Sequence, residues 1–195
     1  MSPCVTASVH PPTNWTEVSA IAACIGVTIT SIGVIVALIF HIKNLSHARL
    51  SNSAKMVFDL VDLFDSTEWL GYRRHFAKRL LEDRDNIDVS GDAPVLEFFE
   101  DLGYMTRRRI LDKGMVWHSF SWLIERYYRA VTKQPNLIEK GRAETNSRTL
   151  YRELIWLQKE LSVLSAKEEE LSVYVPPSEE DIKRFLENET KLTTD

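Results

Sequence analysis

Carboxylates, histidines and arginines are the residues of this 195-residue chain whose types and spacing could support chemistry. Asp59, Asp62 and Asp65 recur at intervals of three, and Glu97 with Glu100-Asp101 forms a similar group. A di-metal carboxylate bundle takes one Glu from each of two helices and a Glu-x-x-His from each of two others. No Glu-x-x-His occurs here. His118 and Glu125 stand one heptad apart and could share a helix face, while His41, His47 and His75 have no partner at ligand spacing. The acids therefore read as solvated faces, and no metal or other cofactor is expected. No serine sits in a nucleophile elbow, and no Gly-rich loop opens a helix to cradle phosphate.

The basic residues are more suggestive. Arg73, Arg74 and Lys78 form one cluster, and Arg107, Arg108 and Arg109 form another. The triple arginine falls late in its helix, where positive charge complements the dipole. The same side chains could contact anionic lipid head groups, a phosphate or an acidic partner. One further set, Glu100, Asp101, Arg107 and Glu125, would suit an enzyme acting on lipid or nucleotide if these groups line one pocket. Nothing else in the chain carries catalysis, so the residue set leans away from an enzyme.

Composition narrows the partners. The formal charge is −4, and all 24 basic residues and all but one of the 28 acidic ones follow residue 42. Nucleic-acid binding relies on a surplus of Lys and Arg, which this balance lacks. The only cysteines are Cys4 and Cys24. The part after residue 42 has neither disulfides nor thiolate ligands, which suits a reducing compartment.

These residues must be positioned by helices, and the first stands apart. Val18 to Phe40 is a run of twenty-three residues with no Asp, Glu, Lys, Arg or His. As a helix it would rise about 34 Å, enough to cross a bilayer. It is too long, and lacks the basic flank, for a cleaved signal peptide. Lys43, Arg49 and Lys55 follow it and no Lys or Arg precedes it. The positive-inside rule then places the N-terminus outside and the large domain in the cytoplasm, on a cell (inner) membrane. Ala22, Gly26, Thr30, Gly33 and Ala37 share one face of this run and could seat a second helix, making a homo-oligomer.

Beyond the anchor the period is that of soluble helices. Leu50, Ala54, Val57, Phe58, Val61 and Phe64 form the first stripe, and Trp69, Tyr72, Phe76, Ala77, Leu80 and Leu81 form the second. Residues 83–92 read as a polar loop. From Pro94 a third stripe runs through Val95, Phe98, Phe99, Leu102, Met105 and Ile110, with Lys113-Gly114 read as its end. Val116, Phe120, Leu123, Ile124, Tyr127 and Val131 give the cleanest period, and Trp122 is a surplus aromatic that a partner could use. Residues 136–148 read as a polar connector, partly helical. Leu150, Leu154, Leu157, Leu161 and Leu164 suit a helix packed in a bundle. Pro176-Pro177 ends that region, and Ser178 to Asp181 could cap a short last helix.

Three segments carry a resemblance. They are Ala54 to Leu60 with Ser66-Thr67-Glu68 and Arg73-Arg74; Leu96 to Gly103 with Arg107-Arg108 and Ile110-Leu111-Asp112; and Val116-Trp117 through Tyr127-Tyr128, with Leu150-Tyr151, Glu153 and Trp156-Leu157. Over residues 50–165 the chain resembles the prokaryotic and phage family grouped as domain of unknown function 4760. The resemblance implies a helical domain behind one spanning helix and carries over no catalytic residue.

The expected fold is all-α. It comprises a short lead (1–14), a transmembrane helix (15–42), a bundle of about five helices (43–172) and a tail with a short helix (173–195). The expected function is a membrane-anchored cytoplasmic interaction or sensing domain, with the bilayer and its anionic head groups as partners. The alternatives are a tethered enzyme and, from the resemblance, a regulator or effector in phage conflict.

Overall fold

Short residue groups start and stop the helices. The computed structural model describes Ala37, residues 40–41, 43–45, 47–88, 93–133, 136–168, Glu170 and residues 174–193. The chain divides into two units, Met1–Arg49 and Leu50–Asp195. The described residues of the first unit are helical. Apart from Ala37 and Phe40, the apolar run Val18–Phe40 lies outside the described residues, and so do Ala22, Gly26, Thr30 and Gly33 of its small-residue face. Among the described residues no helix is long and apolar enough to cross a membrane.

The second unit is all-α, and its described residues contain no strand. Its helices are α1 (residues 50–64), α2 (Thr67–Glu82), α3 (Pro94–Arg107), α4 (Lys113–Thr132), α5 (Leu137–Thr145), α6 (Arg152–Glu168) and α7 (Glu179–Glu189). Six of them, α1 to α6, fall in the region expected to hold about five. α5 forms inside the polar connector, because the Asn136 side chain accepts from the N–H groups of Ile138 and Glu139. α7 is the helix expected in the tail. Its Ser178–Asp181 capping box is complete, and it is packed into the unit through Ile182, Phe185 and Leu186.

The boundary between α3 and α4 differs from the sequence reading. α3 stops at Arg107 in a Schellman motif: Arg109 N–H donates to the Thr106 carbonyl at 2.9 Å and Ile110 N–H to that of Met105 at 2.9 Å. Arg109 takes the left-handed conformation this closure needs, at φ 59°. Asp112 then caps α4 by accepting from Met115 N–H at 3.0 Å, so Lys113-Gly114 begins a helix instead of ending one. Glycine costs less than arginine at positive φ. Arg109→Gly should therefore raise stability by about 0.5–1 kcal/mol, read as a higher midpoint in thermal denaturation.

α3 packs along α6, α4 along α6, and α2 against α7. Phe64, Phe98, Phe99 and Phe120 form the aromatic centre, with ring centroids 4.7–6.0 Å apart along their contacts. The stripe of α4 holds: Val116, Phe120, Ile124, Tyr127 and Val131 are buried, and Leu123 is half-buried against the core. α1 is less well read. Val57 and Phe64 are buried, but Leu50 is exposed and Phe58 is 66 % exposed. Ile110 is also exposed, because it lies past the end of α3.

Candidate anion-binding site

The close approach of α3 to α6 builds the site. Gly103 lies against the backbone of α6, where a Cβ atom would fall 2.5 Å from the Glu153 carbonyl oxygen. α6 starts directly after Tyr151, at φ 54°. Its cap comes from across the interface: Glu100 of α3 accepts from Leu154 N–H at 2.7 Å. Burial pushes the Glu100 carboxyl up, while the N–H groups of Leu154 and Glu153 pull it down. Glu100 thereby fixes the register of the first turn of α6 against α3.

That register sets three arginines around one cavity. A pocket of about 360 Å³ is lined by Tyr104, Arg107, Arg108, Arg152 and Glu153. Arg107 Nη1 donates to both Glu153 oxygens, at 3.1 and 3.2 Å, and Arg152 Nε donates to Oε1 at 3.0 Å. The Glu153 residue is 6 % exposed. Burial alone would raise its pKa, but the two arginines outweigh that and hold the carboxyl below the usual range. It therefore stays charged at neutral pH. Arg107 rests over the Trp156 ring at 5.6 Å, and Arg108 over the Tyr104 ring at 5.4 Å. Arg108 has no carboxylate partner among the described residues.

The sequence cluster Arg107, Arg108 and Arg109 is thus brought together only in part. Arg109 is exposed and is not one of the lining residues, because its backbone closes the helix. Arg152 takes its place. It lies 45 positions after Arg107, so its membership was visible only once α6 had been docked.

The other cluster separates. Arg74 and Lys78 are exposed on α2, with Lys78 3.8 Å from Glu82. Arg73 points inward and is 6 % exposed, so it is unavailable to an external anion. Its Nε and Nη2 donate to the two Glu189 oxygens at 2.9 and 2.8 Å, and its Nη1 donates to Asp65 at 2.9 Å. Tyr127 Oη donates to the same Glu189 at 2.6 Å. Burial would lower the Arg73 pKa, but these carboxylates raise it further. The group joins α2, α4 and α7. Arg73 also lies over the Phe64 ring at 4.7 Å.

Glu100, Asp101, Arg107 and Glu125 do not share a described cavity. Glu100 caps α6, Asp101 is exposed and Arg107 lines the arginine pocket. Glu125 lines a separate small cavity with Ser121, Gln158 and Tyr174. Among the described residues no group of three or more His, Cys, Asp and Glu could hold a metal ion. Trp122 is 54 % exposed, with Arg126 stacked 4.2 Å from its ring centre and Phe185 edge-on at 5.2 Å.

No protein-family model, curated protein or solved structure matches this chain.

Proposed function

We propose that this chain is a single-pass membrane-anchored protein whose helical domain is an interaction or sensing module, and that it engages anionic groups through the arginine pocket. One observation carries this reading: Arg107, Arg108 and Arg152 line one open cavity with a single carboxylate among them. Arg107 and Arg152 both pair with Glu153. Arg108 instead presents its guanidinium to the cavity edge beside Tyr104. The apolar run Val18–Phe40 and its basic C-terminal flank support the anchor and the cytoplasmic placement. The resemblance over residues 50–165 agrees with a helical domain behind one spanning helix. The small-residue face from Ala22 to Ala37 would let two anchors pair.

Fractionation tests the anchor. The chain should remain in the membrane pellet after an alkaline carbonate wash. Protease added to inverted membrane vesicles should digest the region after residue 43. Recovery in the soluble fraction, or protection of that region, would overturn the reading.

A further inference from the structure

The composition of the arginine pocket selects among anions. Three guanidiniums and one carboxylate line it, which leaves two positive charges uncompensated at one cavity. Glu153 occupies Arg107 Nη1 and the Nε and Nη2 groups of Arg152. It thereby orders two of the three arginines before any ligand arrives. Among the described residues the Arg108 guanidinium is held by its contact with the Tyr104 ring and keeps its donors for a ligand.

We propose that this pocket binds the dianionic phosphate of a phosphomonoester. Arg107, Arg108 and Arg152 serve as donors, and Glu153 is the carboxylate that holds two of them in place. The inference rests on the interaction reading of the domain and not on the anchor. A phosphomonoester carries about −1.5 to −2 charges at neutral pH, which matches the two unpaired positive charges. Guanidinium forks present paired N–H donors at the spacing of phosphate oxygens. A carboxylate or a phosphodiester brings a single charge and leaves one arginine uncompensated. The cavity, at about 360 Å³, exceeds the size of a phosphate group and leaves room for the group esterified to it. The Tyr104 ring, which lines the cavity, braces Arg108, and the Trp156 ring, which does not, braces Arg107.

The full chain in phosphatidylcholine nanodiscs, titrated with glycerol 3-phosphate, tests the proposal. Trp156 lies under Arg107, so tryptophan fluorescence reports occupancy. The expected result is a saturable change that weakens at least tenfold in Arg108→Gln and in Arg152→Gln, and that disappears in Trp156→Phe. Arg108 is exposed, so its variant keeps the fold, and an unchanged melting profile checks this. The apparent affinity should fall roughly tenfold from pH 7.5 to pH 5, as the ligand takes up its second proton near pH 6.

A second arm replaces the soluble probe with phosphatidic acid in the nanodisc, and with phosphatidylglycerol as the diester control. A response to glycerol 3-phosphate identifies a soluble ligand. A response to phosphatidic acid alone identifies a lipid head group, and both outcomes support the site. Silence in both arms, an equal response to phosphatidylglycerol, or wild-type titration of Arg108→Gln would overturn it. Those failures leave the fractionation result untouched, and a failed fractionation leaves the soluble arm readable.

Discussion

Replacing Glu189 by alanine should destabilise the Leu50–Asp195 unit by about 3–5 kcal/mol, the cost of removing one partner from a buried ion pair. Three donors lose their acceptor at once. They are Arg73 Nε, Arg73 Nη2 and the Tyr127 hydroxyl. Asp65 and the Phe64 carbonyl remain for Arg73 Nη1, at 2.9 and 3.4 Å, but they cannot reach the other side of the fork. For a unit of this size the loss corresponds to a melting midpoint lower by roughly 6–20 °C. Glu189→Gln keeps an acceptor for Tyr127 and should fall between the two. The double change Arg73→Met with Glu189→Leu should recover much of the loss, because it leaves no buried charge behind. Thermal denaturation of the four proteins checks the order. A Glu189→Ala midpoint equal to that of the unaltered chain would show that α7 is not held by this pair.

The second large effect is expected at Gly103. An added methyl would stand 2.5 Å from the Glu153 carbonyl oxygen and 2.7 Å from its carbon, and both atoms belong to backbone. No rotamer change relieves that contact, so α3 and α6 must separate. Gly103→Ala should cost at least the upper part of the usual overpacking range, about 3 kcal/mol. Gly71 is the internal control. Nothing lies within 4 Å of the Cβ it would gain, and it sits inside α2. Gly71→Ala should leave stability unchanged or raise it by about 0.5–1 kcal/mol. Opposite signs for two Gly→Ala changes in one unit would assign the Gly103 loss to contact and not to helix propensity. Chemical denaturation, with the slope held constant, reads both.

The helical class and most core positions were legible in the sequence. The period of α4 was clean because its buried residues Val116, Phe120, Ile124, Tyr127 and Val131 meet neighbours along one face. The stripe of α1 was misread at Phe58, because an apolar side chain at helical spacing does not say which neighbour is absent. The Ser178–Asp181 cap of α7 was legible because a capping box is local. The end of α3 was not. Its closure uses an arginine in a conformation that favours glycine, so the glycine at 114 drew the boundary away from Arg109.

The candidate site was half legible for the same reason. Arg107 and Arg108 are adjacent in sequence and on one cavity, whereas Arg152 and Glu153 arrive from another helix. Arg73 was placed with the surface arginines because its adjacency to Arg74 implies exposure. Its burial depends on Glu189, 116 positions away, and no local pattern encodes that pairing.

That separation has a consequence for how the unit is made. At about 5–20 residues per second, Glu189 is synthesised roughly 6–23 s after Arg73. During that interval α2 and α4 can meet, but the cation between them faces no carboxylate from α7. The nascent chain is therefore held open at the seat of α7, with the Phe76 and Tyr127 faces uncovered, until Phe185 and Glu189 are both available. Completion of this domain is timed by its last helix. A chain that stops short of residue 189 lacks the carboxylate shared by Arg73 Nε, Arg73 Nη2 and the Tyr127 hydroxyl, a form suited to recognition by chaperones and proteases.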